Sequence, residues 1–387
     1  MTHAFTPTDD DLSAARDLRR DLHRRPELSS DEAETAKLVA QKMREAGADA
    51  VMTDLGGHGV AAIFDGAESG PAIMLRAELD ALPIREETGV EHASTREGVG
   101  HLCGHDGHMA ILYALARRLG RDRPRRGRVI LLFQPAEETG EGAEALLQDA
   151  RFSALRADRV VALHNYPGVE TGRVILGEGP MATAATGLLV QLHGRAAHAS
   201  QPEGGISPRT ALVRLMQSLP ALGSEERFPD DDFALVTIAR VLMGEPAFGV
   251  APGEGEIRAT LRTMRDEKMQ RLIDRAEAEV RDAAAEAGLG HEISHHEVFT
   301  ACDNHPDAVA DLRAALDDLG VSHTPEGQPW RPAEDFGRLG RIAPAAMFFL
   351  GSGRDQPPLH DPRFDFPDEL IGHGSRIFAR VLDRALG

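Results

Sequence analysis

Three short apolar runs along the chain each break off into a burst of polar groups. Ala72 to Leu75 leads into Arg76-Ala77-Glu78-Leu79-Asp80, Val129 to Phe133 into Gln134-Pro135-Ala136-Glu137-Glu138, and Val160 to Leu163 into His164-Asn165. Continuous short apolar runs predict buried parallel strands, and in open α/β sheets ligands collect beyond the carboxyl ends of such strands. Upstream the pattern predicts two helices. The second opens with a Ser29-x-x-Glu32 capping box and carries Ala36, Val39, Met43 and Ala46 on one face up to a stop at Gly47. From about Gly59 to Leu163 predicted strands and helices alternate in βαβ fashion, including a helix over His108 to Leu119 with a broad apolar face of Met109, Leu112, Tyr113, Leu115 and Ala116.

The pattern changes near Ala184. Thr186 to His193 predicts a strand, Pro208 to Leu222 a helix, Ala234 to Met243 and Glu256 to Met264 strands, Asp266 to Ala287 an amphipathic helix, and His291 to Phe299 a strand. The order βαββαβ is that of the split-βαβ, ferredoxin-like unit, large enough to be a domain of its own. The α/β pattern then resumes with a helix at Pro306 to Leu319 and the apolar run Ala345 to Leu350. The expected organisation is a discontinuous first domain, 1–183 and 300–387, with 184–299 inserted into it.

Composition narrows the function. The 387 residues suffice for two cores, and 62 Asp and Glu against 43 Lys and Arg give a formal charge of −19 that repels nucleic acid and anionic lipid. Neither nucleic acid nor membrane is therefore an expected partner. The only lysines, Lys37, Lys42 and Lys268, lie on predicted exposed helix faces, which excludes a Schiff-base lysine, a pyridoxal site and a P-loop. Cys103 and Cys302 are too few for a disulfide scaffold, Met1 to Asp11 lacks the basic and apolar regions of a signal peptide, and no apolar run is long enough to span a membrane. A reducing cytoplasm is the expected location.

Between the first two runs, His101-Leu102-Cys103-Gly104-His105-Asp106-Gly107-His108 concentrates thiol, imidazole and carboxylate, a donor set for zinc or a neighbouring divalent metal. The adjacent Glu137 and Glu138, beyond a buried strand, permit a division of labour in which one carboxylate binds metal and the other stays free as a general base. The plain alternative is a solvated acidic turn, since Glu141 and Glu144 follow.

The strings LRAELDALPI, HLCGHDGHMA, FQPAEETGEGA, LHNYP, GRAAHAS, AEDFG and a late LHD, running from residue 75 to 360, resemble the M20 metallopeptidase and amidohydrolase family. They are most similar to its branch of N-acyl-amino-acid, hippurate and IAA-amino-acid amidohydrolases. The resemblance implies an α/β, dinuclear-metal aminopeptidase-like catalytic domain, with the inserted α+β ferredoxin-like unit serving as lid and dimerisation domain. It implies that Cys103, His105, Glu138, His164 and His360 bind two divalent metal ions per subunit, zinc, manganese or cobalt, with Cys103 as the bridge. Glu137 matches the general base, and Asp80 the carboxylate that orients the metal site from behind. His198 matches the lid histidine that in a homodimer reaches the partner's active site and stabilises an oxyanion. Arg262 matches an arginine able to hold a substrate carboxylate.

Two positions depart from the family pattern: Glu78 stands where Asp is usual, and Gly249 where relatives commonly carry a substrate-gripping asparagine. His101 and His108 match the string but read as structural groups, His295 and His296 as exposed, and Cys302 as a buried inert thiol. The implied activity is hydrolysis of the amide of an N-acyl amino acid to a carboxylate and a free amino acid. A dipeptidase or carboxypeptidase of the same chemistry, or a catalytically silent metal-dependent binding protein, are the alternatives.

Overall fold

Reciprocal capping starts the first helix, α1 (Asp9–Arg24). The Thr8 hydroxyl accepts from the Asp11 N–H, and the Asp11 carboxylate accepts from the Thr8 N–H at 2.9 Å. The second helix, α2 (Ala33–Glu45), buries Ala36, Val39 and Met43 as its spacing predicts. The expected Ser29-x-x-Glu32 capping box is absent. Glu32 is itself the N-cap residue, so Ser29 lies one turn too early, and both side chains point into the protein instead: Ser29 Oγ donates to Asp80 Oδ2 at 2.7 Å, and Glu32 Oε1 accepts from the Ala136 N–H at 2.7 Å.

The computed structural model describes residues 5–224 and 227–387. Residues 1–4 of the Met1 to Asp11 start lie outside the described residues. The chain forms two units: the first extends to Met181 and regains Asp303–Gln328 and Asp335–Gly387, and the second holds Ala182–Cys302 and Pro329–Glu334. In chain order the first unit begins, after the two helices, with β1 (Ala50–Leu55), β2 (Gly59–Asp65), β3 (Glu68–Glu78), α3 (His105–Arg121), β4 (Arg126–Gln134), α4 (Gly142–Gln148), β5 (Arg159–Tyr166) and β6 (Val174–Ile175). The second unit follows with β7 (Gly179–His193), β8 (Ala197–His198), α5 (Arg209–Ser218), β9 (Ala234–Met243), β10 (Val250–Ala251), β11 (Glu254–Thr263), α6 (Asp266–Glu286) and β12 (Gly290–Phe299). The remaining elements are β13 (Cys302–Asn304), α7 (Pro306–Leu319), β14 (His323–Thr324), β15 (Trp330–Ala333), β16 (Ala345–Gly351) and α8 (Glu369–Leu386).

The first unit is built on an eight-stranded sheet of order β1-β2-β4-β3-β5-β16-β6-β14. The three apolar runs are its central strands, β4, β3 and β5, which pair in parallel, and β16 continues the parallel set. Register places Glu78 beside Gln134, so the polar bursts after β3 and β4 emerge at the same sheet edge. Helix α3 starts earlier than its apolar spacing suggests, at His105, because Gly104 at φ 98 turns the chain into it from a left-handed conformation. The second unit is an antiparallel sheet with core order β12-β7-β11-β9, covered on one face by α5 and α6 through Leu212, Leu215, Leu272 and Val280 against Leu188, Val190, Ile257 and Leu261. This is the βαββαβ, ferredoxin-like arrangement. The short β15 lies parallel to β7 as part of this unit, an excursion that nothing in the pattern of residues 329–334 marked. Helix α8, with Leu370, Ile371, Ile377 and Phe378 buried, also has no counterpart among the expectations from the sequence. Among the described residues no helix is long and apolar enough to cross a membrane.

Gly107, in the first turn of α3 between His105 and His108, tests how tightly the site is supported. A Cβ there would lie 2.4 Å from atoms of the buried Phe366 ring. Gly107→Ala should gain about 1 kcal/mol of helix propensity but lose more to overpacking, typically about 1–3 kcal/mol and here at the upper end because a ring cannot rotate aside. The urea midpoint is expected to fall with an unchanged slope; an equal or higher midpoint would contradict this packing.

Candidate metal centre

Each polar burst delivers its side chains to the carboxyl edge of the sheet. Asp80 follows β3 and is fully buried. Its Oδ2 accepts from Ser29 Oγ at 2.7 Å and from the Glu138 N–H at 2.9 Å, and its Oδ1 lies 3.3 Å from His105 Nδ1. Gln134 ends β4, and the chain then turns through Pro135 and Ala136 to present Glu137 and Glu138. Ala136 adopts φ 48 and His360 φ 66, left-handed conformations that cost a non-glycine residue about 1–2 kcal/mol. Such outliers persist where surrounding contacts enforce them, and both lie at this cluster.

Hydrogen bonding fixes the imidazole tautomers. His105 Nδ1 is 2.9 Å from the Asp80 carbonyl oxygen, which can only accept, so the proton sits on Nδ1 and Nε2 offers a lone pair. His164 Nδ1 likewise donates to the Asn165 carbonyl at 2.8 Å, which leaves its Nε2 lone pair 3.5 Å from Cys103 Sγ. His105 Nε2 is 3.8 Å from Glu137 Oε2 and 3.9 Å from Glu138 Oε1, and His360 Nε2 is 3.5 Å from Glu138 Oε2. Ligand atoms of Cys103, His105 and His164 lie within 4.8 Å of one another, as do those of Cys103, Glu138 and His360, so the sulfur belongs to both groups.

The donors fit a cationic occupant. His105 Nε2 and Glu138 Oε1 are buried and have no hydrogen-bond partner, a costly state for polar atoms unless something else engages them. Burial, followed by the Glu138 and Glu137 charges, pushes the Cys103 thiol well above its ordinary range, so a thiolate here requires a positive neighbour. Burial alone would lower His105, but the Asp80 hydrogen bond and the Glu78, Asp80 and Glu138 charges outweigh it and raise the imidazole to about 10, so these carboxylates favour a positive occupant at Nε2, either a second proton or a metal ion in its place. His164 is held well below its usual value by burial and by the neighbouring imidazoles. Imidazole, thiol and carboxylate in this mixture suit zinc, manganese or cobalt.

A buried charge network lies behind these donors. Arg76, 1% exposed, donates to Gln134 Oε1 at 3.0 Å, to Glu78, and to Asp335 Oδ1 at 2.8 Å. Asp335 also accepts from Gln134 Nε2 and from the Ala143 N–H at 2.9 Å. Glu78, in place of the usual Asp, spans from Arg76 to His108 Nδ1, 2.6 Å away, and His108 Nε2 lies 2.7 Å from Asn165 Oδ1. With both nitrogens engaged, His108 offers no lone pair to a metal, although Glu78, His105 and His108 also lie close together. Asp106 turns away toward α1, with Oδ2 2.8 Å from Arg19 Nε and 2.9 Å from His23 Nδ1. His101 is 1% exposed, has no partner at either nitrogen, and is lowered to about 4, chiefly by burial.

The other residues singled out in the sequence lie in the second unit. His198 is exposed in β8, and its Nδ1 accepts from the Ser200 N–H at 3.1 Å, which places the ring proton on Nε2. Gly249 faces the same ribbon: its carbonyl accepts from the Ala199 N–H at 3.0 Å, and a Cβ there would meet open space. Arg262 on β11 is half-buried, and its Nη1 donates to the Arg331 carbonyl at 3.4 Å. His295 and His296 are exposed on β12, and Cys302 is buried. Three residues in contact with the centre drew no part in it from the sequence: Ser29 and Glu32, read there as a capping box, and Asn165. For Asn165 the signal was its place just after the third apolar run; for Ser29 and Glu32 the local Ser-x-x-Glu spacing pointed elsewhere.

A profile of Peptidase family M20/M25/M40 matches residues 74–384. The chain is 32% identical over 370 residues to an N-acetyl-L-cysteine deacetylase of Bacillus subtilis, covering 95% of this chain and 87% of that protein. It is 31% identical over 367 residues to a hippurate hydrolase of Campylobacter jejuni, with 94% of each chain covered. Among solved structures it is similar to a putative aminohydrolase from methicillin-resistant Staphylococcus aureus, with TM-score 0.84, 26% identity and 98% of each chain covered. A second similar structure is a dinuclear metal-binding M20 peptidase from Bacillus subtilis, with TM-score 0.79, 27% identity, and 98% of this chain and 99% of that one covered. The match spans the strand-end motifs and both units, and this chain belongs to peptidase family M20/M25/M40.

Proposed function

We propose that this chain is a metal-dependent amidohydrolase that cleaves the amide of an N-acyl amino acid, releasing a carboxylate and the free amino acid. The observation that carries this reading is the unequal placement of the adjacent carboxylates: Glu138 lies 3.9 Å from His105 Nε2 and 3.5 Å from His360 Nε2 and groups with Cys103 and His360, while Glu137 approaches His105 at 3.8 Å and, among the described residues, belongs to no group with Cys103. The activities named for the relatives, N-acetylcysteine deacetylation and hippurate hydrolysis, support the N-acyl amino acid as substrate. Cys103, His105, Glu138, His164 and His360 would hold two divalent ions, with zinc, manganese or cobalt each compatible and Cys103 shared. Bound there, the ions supply Lewis acidity that polarises the amide carbonyl and makes water a better nucleophile.

The chain's own groups do the rest. Asp80 holds the His105 ring, and its hydrogen bond to the Glu138 N–H fixes the backbone of the carboxylate pair. Glu137 takes a proton from the attacking water and delivers it to the leaving amine. His198, with its proton on Nε2, donates to the oxyanion, and Arg262 pairs with the amino-acid carboxylate. The second unit acts as lid and dimerisation domain in a cytoplasmic homodimer. Exposed apolar side chains on α5 and the end of β9, Val213 at 53%, Met216 at 47%, Leu242 at 42% and Met243 at 42%, support that role. A panel of N-acetyl and N-benzoyl amino acids beside dipeptides, read by amine release from metal-reconstituted enzyme, tests the activity; turnover of dipeptides alone would replace it with a peptidase.

Glu137→Gln should lower kcat by about 10²–10⁴ or more while metal content stays at the wild-type level, because it removes the proton shuttle and no ligand. Glu138→Ala should instead lose metal. Equal stoichiometry in the two variants would refute the division of labour.

For His198, mixing inactive His198→Ala and Glu137→Gln chains should restore activity if the histidine serves the partner's site. About half the dimers would be mixed, each with one working site of two, so about a quarter of wild-type activity is expected after free subunit exchange. No recovery despite demonstrated exchange would place His198 with its own chain or outside the reaction.

A further inference from the structure

The segment Pro26–Glu32, between α1 and α2, runs beside the loop that follows β3: Leu28 bridges to Ala81, and the Ala81 N–H donates to the Glu27 carbonyl at 2.8 Å. From this segment Glu32 projects a fully buried carboxylate. Its Oε1 accepts from the Ser30 N–H at 2.9 Å and the Ala136 N–H at 2.7 Å, and its Oε2 is buried without a partner. Both residues whose N–H it holds are left-handed, Ser30 at φ 69 and Ala136 at φ 48. Neither is glycine, so each conformation is maintained against about 1–2 kcal/mol of intrinsic preference.

The consequence lies one residue further on. Glu137 stands between two backbone N–H groups, those of Ala136 and Glu138, and each is anchored by a buried carboxylate from elsewhere in the chain: Glu32 holds the first at 2.7 Å and Asp80 the second at 2.9 Å. Ser29, three residues before Glu32, ties Asp80 into the same assembly at 2.7 Å. We propose that Glu32 is a positioning residue for the general base, holding the Pro135-Ala136 turn left-handed so that the Glu137 carboxylate faces the metal ligands. The proposal rests on the reading of Glu137 as base. The carboxylate is not required for its charge; an oxygen that accepts two N–H groups at that place suffices. Burial, the largest influence, raises the Glu32 carboxyl above its ordinary value, in keeping with that view.

The test compares Glu32→Ala, Glu32→Gln and Glu32→Asp in metal-loaded, full-length enzyme. It measures kcat and KM, metal content, thermal midpoint, and amide hydrogen exchange of the peptide spanning 134–140. Glu32→Ala should lower kcat by about 10²-fold with KM changed less than about threefold, because a misplaced base impairs the chemical step more than binding. Metal content should be unchanged, and the 134–140 peptide should exchange faster. Glu32→Gln, whose amide oxygen can accept the same two N–H groups, should stay within about fivefold of wild type. A purely structural residue would lower the thermal midpoint without selectively lowering kcat. If Glu32→Ala does not fold, Glu32→Asp decides: one methylene shorter, it keeps the Ser30 contact, releases Ala136, and should show the same kcat loss. Wild-type kcat and exchange in the Ala or Asp variant, or a Gln variant as impaired as Ala, would overturn the proposal. If Glu137→Gln retains turnover, the base reading fails instead, and exchange at 134–140 still decides whether Glu32 clamps the turn.

Discussion

Asp80 is buried on every side, and a buried carboxylate must be satisfied by hydrogen bonds or it destabilises the fold by several kcal/mol. Here that requirement organises the sheet edge. Ser29 Oγ, the Glu138 N–H and His105 converge on Asp80, which joins the segment before α2, the turn after β4 and the start of α3. A carboxylate that draws three separate segments together fixes the relative positions of their side chains, and those side chains include His105, Glu137 and Glu138. The parallel register of β3 with β4 makes this possible, since it brings both polar bursts to one edge.

The same logic extends outward through Arg76, Glu78, Gln134 and Asp335, all fully buried or nearly so. Removing any one partner from such a network leaves a buried charge uncompensated, typically at about 3–5 kcal/mol, so the network defines a geometry more than it adds stability. Glu78 illustrates this. Its extra methylene relative to Asp lets one carboxylate meet both Arg76 and His108, so the departure from the family pattern is absorbed by the network behind the donors. On the side of the donors, His105 Nε2 and Glu138 Oε1 are buried with no hydrogen-bond partner, the condition a divalent ion relieves.

Much of this was legible in the sequence. The three apolar runs announced central parallel strands, and the βαββαβ order of the second unit followed from periodicity alone, because each strand and helix there is long enough for its pattern to repeat. Gly104 and the positive φ of Ala136 and His360 were not legible: they are backbone states imposed by neighbours distant in sequence. Ser29 and Glu32 were misread for the same reason. Ser-x-x-Glu before an apolar helix is a sound local signal for a capping box, but here buried partners after β3 and β4 compete for both side chains and win. Local rules fail where tertiary hydrogen bonds to buried groups outweigh them, and such places cluster around the candidate centre.

On the proposed reading, this sheet edge holds two metal ions with the Cys103 sulfur common to both. The most direct test is an anomalous-scattering map from crystals of the protein loaded with zinc or manganese. Two peaks per chain are expected, about 3.5–4 Å apart, one against Cys103, His105 and His164 and the other against Cys103, Glu138 and His360. A single peak, or density centred on Glu78 and His108 instead, would contradict that reading.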